Sequence, residues 1–145
     1  MTFSALSHSL AFITPNALEA GIGDDILSDI EAGGFEILDT APLHLGQEDA
    51  TWLYAEECYS PGFVELVAQV TRSGGLVVII KGFGENTPAE FYRHIGSSSA
   101  GAGVRENLAC AYAARIGSNA VHVPAGPCDA ISAIERFSGA FLKAA

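Results

Sequence analysis

The chain has 145 residues, a length that supports one compact core burying roughly 68–70% of the unfolded chain's surface. Hydrophobic residues make up 49% and charged residues 17%, a balance too apolar for a disordered chain, and no apolar run is long enough to span a bilayer. Seventeen acidic residues against seven basic ones give a net charge of -10, which disfavours nucleic acid and anionic membranes as partners.

The chain reads as one domain over residues 1–145. Leu10-Ala11-Phe12-Ile13 is a short apolar run stopped by Pro15, and predicts a strand in the middle of a sheet, followed by a turn at Thr14-Pro15-Asn16. In residues 21–35, Ile22, Ile26, Leu27 and Ile30 share one helical face, Asp24 and Asp25 lie near the N-terminus, and Gly33-Gly34 ends the run. Residues 35–40 predict a half-exposed second strand, and 47–57 and 61–71 predict helices. Leu76 to Ile80 is the most apolar strand candidate, and a helix with Thr87 as N-cap follows Gly82-Phe83-Gly84. The GSSSAGAG stretch, residues 96–103, has the composition of a flexible loop. Residues 105–115 predict a helix, 119–123 a last strand, and 128–142 a last helix. This order contains a split βαβ pair, so the expected fold is α/β in the α+β sense: a ferredoxin-like sandwich, a four-stranded antiparallel sheet with helices on one face.

Three cysteines, Cys58, Cys110 and Cys128, show no metal-site spacing, and the start of the chain lacks the pattern of a signal peptide, so reduced thiols in the cytoplasm are expected. Cys58 stands beside Glu56 and Glu57, whose charges disfavour a nucleophilic thiolate. Gly101-Ala102-Gly103 follows no strand and lacks a third glycine, so it is read as loop and not as a dinucleotide fingerprint. The acidic residues of the first helix follow its polar face and read as solvated. His8, His44 and His94 read as solvated side chains, and His122, at the end of the last strand, taken by itself reads as a hydrogen-bonded strand-end histidine without chemistry.

Four segments taken together, SLAFITPNAL, GIGDDILSDIEAGGFEIL, FVELVAQVTRSGGLVVII and SNAVHV, resemble the nucleoside diphosphate kinase family in order and spacing over nearly the whole chain. Asn119-Ala120-Val121-His122 resembles that family's Asn-x-x-His, whose histidine carries the phosphoryl group. The resemblance implies the ferredoxin-like fold and a ping-pong reaction in which a nucleoside triphosphate passes its terminal phosphoryl to His122 and then to a diphosphate. It also implies Mg2+ on the nucleotide and a homo-oligomer, a dimer, tetramer or hexamer. A neutral imidazole suits such a role, because it is nucleophilic near neutral pH and forms a labile intermediate. By the same resemblance Arg105 stands for the arginine of the family's Gly-Thr-Ile-Arg segment and Ser98 for its threonine. Arg93 and Tyr54 stand one position from the family's other arginine and its tyrosine, Asn119 is the motif asparagine, and Thr14 occupies the place of the Lys-Pro-Asp lysine.

The departures bear on rate. Thr14-Pro15-Asn16 lacks the cation of Lys-Pro-Asp, Val123-Pro124-Ala125-Gly126 replaces Gly-Ser-Asp-Ser, and Ala133 stands where a glutamate orients the histidine, with Glu135 two residues further. Losing one charged contributor costs on the order of 10²–10³ in rate. The expected function is therefore weakened phosphoryl transfer between nucleoside di- and triphosphates. A catalytically inactive nucleotide-binding or assembly module, and more distantly a ferredoxin-like sensor of small ligands, are the alternatives.

Overall fold

A computed structural model describes residues 4–96 and 107–144. The candidate residues Ser98 and Arg105, and most of the GSSSAGAG stretch, lie outside the described residues. The elements in chain order are β1 (His8–Ile13), α1 (Pro15–Glu19), α2 (Gly23–Ala32), β2 (Glu36–Leu43), α3 (Gln47–Leu53), a 3-10 turn (Ala55–Glu57), α4 (Phe63–Thr71), β3 (Gly75–Lys81), α5 (Thr87–Ile95), α6 (Leu108–Ile116), β4 (Val121–His122) and α7 (Pro127–Ala144).

The four strands form one sheet in the order β2-β3-β1-β4, with every neighbouring pair antiparallel. This is the ferredoxin-like arrangement read from the sequence, with β3 inserted between β1 and β2. Alternation along the central strands sorts the core into two layers. Ala11, Ile13, Val78 and Ile80 pack with Ile26 and Ile30 of α2, Phe91 and Ile95 of α5, and Tyr112 of α6. Leu10, Phe12, Val77 and Ile79 point the other way and pack with Leu53 and Tyr54, Val67 and Val70 of α4, and Ile134 and Phe137 of α7. Helices therefore cover both faces of the sheet, which corrects the expectation of one covered face. The physical reason is visible in β1, whose six residues are all buried and so cannot leave a wet side.

Several local details differ from the sequence reading. Residues 15–19 are a short helix, because the Thr14 hydroxyl accepts a hydrogen bond from the Ala17 amide and Pro15 fits the first turn. The N-cap of α5 is Asn86, whose Oδ1 accepts from the Ala89 amide at 3.2 Å; Thr87 is turned into the core against Gly82. His8, expected in solvent, is buried in β1 opposite Lys81. His94 is half-buried and bonds the Asp29 carbonyl through Nε2 at 2.7 Å. The last strand contracts to two residues, Val121 and His122, paired with Ile13 and Phe12. Just before it, Gly117 closes α6 with φ 76°, a left-handed conformation that glycine adopts without cost.

Candidate functional site

His122 stands at the edge of the sheet, where β4 places it directly opposite Phe12 of β1. The chain then leaves the sheet through Val123-Pro124-Ala125 and enters α7 at Pro127. Those residues, with Asp129 and Ala133 of α7, form one wall of a hollow of about 210 Å3. The opposite wall comes from α3 and the turn after it: Trp52, Leu53, Ala55 and Glu56. Pro124 lines the hollow beside His122.

The histidine ring lies against the ring of Tyr54, with centroids 4.6 Å apart and planes inclined at 56°. Burial drives the His122 pKa down to about 4, because removing water penalises the imidazolium. The ring is therefore neutral at physiological pH, the protonation state that a nitrogen nucleophile requires.

Two candidate residues are committed to architecture. Thr14 is 1% exposed; its hydroxyl donates to the Asn119 carbonyl at 2.8 Å, and its amide donates to the Ala120 carbonyl at 3.0 Å. Where the resemblance places a lysine, the end of β1 is thus bolted to the turn before β4. Tyr54 is equally enclosed, and its hydroxyl donates to Oδ1 of Asn119 at 3.0 Å. Burial and the nearby Glu57 push its phenol pKa well up, so the hydroxyl keeps its proton. Neither side chain is disposed to meet a phosphate. Arg93 is exposed and lines a different hollow, with Gly33, Gly34, Phe35, Phe83, Gly84, Glu90 and His94. The structure brings together His122, Tyr54, Asn119 and Thr14, and places Arg93 apart from them.

The electrostatics of the His122 hollow are unexpected. Among the described residues its lining includes the carboxylates Glu56 and Asp129 and no Lys or Arg. Arg136 stands close to one lining residue: its guanidinium lies 4.7 Å from the Trp52 ring centroid and pairs with Asp49 at 3.0 Å. Glu135 is exposed and absent from the lining, whereas Ala133 faces it. Trp52, Glu56 and Asp129 were not singled out by the sequence as site residues. The signals that could have raised them are the uniqueness of the tryptophan and the position of Asp129 in the first turn of the last helix.

The sequence profile of the family described as nucleoside diphosphate kinase matches residues 7–140. The chain belongs to the nucleoside diphosphate kinase family. It is 30% identical over 133 residues to a nucleoside diphosphate kinase of Sorangium cellulosum, covering 92% of this chain and 91% of that one. A nucleoside diphosphate kinase of Histophilus somni (strain 2336) is 31% identical over 117 residues, 81% of this chain and 82% of the relative. Among solved structures, the Aquifex aeolicus nucleoside diphosphate kinase superposes with a TM-score of 0.68 at 22% identity, covering 88% of this chain and 91% of that one. The apo Encephalitozoon cuniculi nucleoside diphosphate kinase gives 0.73 at 18% identity, over 89% and 86%. At these identities the structural likeness establishes the fold, while the profile match establishes the family. Nucleoside diphosphate kinases are nucleotide-binding phosphotransferases, and this chain is nucleoside diphosphate kinase-like in that sense. No helix among the described residues is long and apolar enough to cross a membrane.

Proposed function

We propose that this nucleoside diphosphate kinase homologue transfers the terminal phosphoryl group of a nucleoside triphosphate to His122 and on to a nucleoside diphosphate, with turnover far below that of a fully equipped site. The observation that carries this reading is the neutral, half-buried His122 imidazole opening on a hollow at the sheet edge, at the position of the family motif. Ring nitrogen and terminal phosphorus form a bond as the phosphoanhydride oxygen leaves with the nucleoside diphosphate; the second half-reaction reverses these roles with a new diphosphate. Ser98 and Arg105 are the proposed phosphate partners, and Asn119 is held between Thr14 and Tyr54.

Charge explains the weakness. Glu56 and Asp129 face a substrate that is itself anionic, so the free nucleotide is repelled from the hollow. A Mg2+ ion carried on the phosphates reverses that repulsion, and these two carboxylates are the residues that would hold it. Among the described residues there is no group of three or more His, Cys, Asp or Glu that could hold a metal ion. Exposed thiols at Cys58 and Cys128 suit a reducing, cytoplasmic setting. The eight-residue edge strand β2 offers backbone groups for homo-oligomer assembly.

A second reading is favoured by the same acidic lining together with the commitment of Thr14 to Asn119: a nucleotide-binding or assembly module without turnover. Incubation with γ-labelled ATP and Mg2+ separates the two. The phosphotransferase acquires an acid-labile, base-stable label that His122→Ala abolishes; a binding-only module shows a nucleotide-dependent rise in melting temperature and no label.

A further inference from the structure

Tyr54 is the most enclosed aromatic in contact with His122, and its place in the molecule is over-determined. Its ring closes the side of the imidazole that faces the lower core, among Leu53, Val67, Ile134 and Phe137. Its hydroxyl is spent on Oδ1 of Asn119, and the carbonyl of that same asparagine is held by the Thr14 hydroxyl. The chain Thr14–Asn119–Tyr54–His122 therefore links the end of β1, the turn before β4, the end of α3 and the imidazole itself. Among the described residues no carboxylate is hydrogen-bonded to the imidazole: Ala133 occupies the α7 wall of the hollow, and besides His122 the described titratable groups on its lining are Glu56 and Asp129.

We propose that Tyr54, anchored through its hydroxyl by Asn119, is the positioning residue that holds the His122 imidazole in one orientation against the hollow. This rests on the proposed role of His122 as phosphoryl acceptor. A nucleophile must present one nitrogen in line with the phosphorus, and a ring that rotates freely about its side-chain bonds spends much of its time out of line. An aromatic face pressed on the imidazole restricts that rotation and excludes water, where a hydrogen-bonded acceptor would otherwise fix the ring. The device has a distinctive consequence. A carboxylate partner would favour the imidazolium, whereas the Tyr54 ring brings no counter-charge and shields the imidazole from water, and burial holds the His122 pKa low.

The test uses the full chain with NMR observation of the four histidines and, in parallel, phosphohistidine labelling from γ-labelled ATP with Mg2+. In Tyr54→Leu, which removes the aromatic face, the His122 titration midpoint is expected to rise from about 4 by at least one unit toward 6.5, and labelling at pH 7 to fall about tenfold. In Tyr54→Phe, which keeps the ring but releases it from Asn119, the midpoint is expected to stay low, while the ring-current displacement of the His122 Hε1 resonance shrinks as the two rings move against each other and labelling falls several-fold. A Tyr54→Leu protein with unchanged His122 midpoint overturns the proposal. So does a Tyr54→Phe protein with an unchanged Hε1 resonance, which also decides the matter should Tyr54→Leu not fold. If the parent protein takes no label while both resonance shifts occur, phosphoryl transfer is refuted and the clamp on His122 stands as a structural device.

Discussion

The hydroxyl of Thr14 donates to the backbone carbonyl of Asn119 across 105 positions of chain, at 2.8 Å. This bond joins the end of β1 to the turn before β4, and the same oxygen caps α1 by accepting from Ala17. A residue that the family resemblance assigns to the phosphates has been drawn into the framework. Thr14→Val should therefore remove both bonds with little change of volume and destabilise the protein by about 2 kcal/mol, the sum of a lost cap and a lost hydrogen bond to the Asn119 carbonyl. Urea denaturation of the two proteins checks the figure; equal midpoints would mean that these bonds contribute nothing.

His122 makes stability depend on pH. Its folded pKa, about 4, lies below the ordinary 6.5, so the unfolded chain binds the proton more readily between those values. The contribution is fully present above pH 6.5 and is lost as pH falls toward 4, up to about 3 kcal/mol in all. His122→Gln should flatten this part of the stability profile. Denaturation measured from pH 7 to pH 4.5 in both proteins reads the difference directly, and parallel profiles would show that His122 is not desolvated.

Glu56 and Asp129 should make the hollow hostile to a phosphate that carries no metal. The Glu56→Gln, Asp129→Asn double variant is expected to bind ATP about tenfold more tightly in EDTA at low salt, and to lose that gain in excess Mg2+, where the same carboxylates would hold the ion on the phosphates. Calorimetric titration under both conditions checks this, and equal gains would point to a packing effect in place of charge.

Ala133 is buried on the α7 wall of the hollow that His122 also lines. A carboxylate introduced there as Ala133→Glu faces the imidazole, stabilises its protonated form and orients the ring. The expected outcome is an upward shift of the His122 titration by at least one unit and a rise of about tenfold or more in labelling rate, read by NMR and by label incorporation. A titration that does not move would mean that the new side chain turns away from the ring.

Much of the fold was legible because its signals are local. The run from Leu10 to Ile13 and the one from Leu76 to Ile80 are apolar throughout, and both are central strands. The helix containing Ile22, Ile26 and Ile30 shows its buried face in its spacing. Burial of both sheet faces was also implied by the continuous hydrophobicity of β1, yet the architecture read from element order alone assigned helices to one side. What escaped the sequence depends on pairs far apart in the chain. Thr14 reveals its role only once Asn119 is beside it, and Tyr54 only once it meets both Asn119 and His122. Thr87 looked like a cap because it precedes Pro88, but its packing against Gly82 hands capping to Asn86. The charge of the hollow arises from Glu56 and Asp129, 73 positions apart, and no linear motif records it.

The most direct measurement of the central claim is a chase. The purified protein is labelled with γ-labelled ATP and Mg2+, freed of nucleotide and mixed with an unlabelled nucleoside diphosphate. The account predicts acid-labile label on His122, discharged into the new triphosphate and absent from His122→Ala. A protein that takes no label, or one whose label persists in His122→Ala, would contradict it.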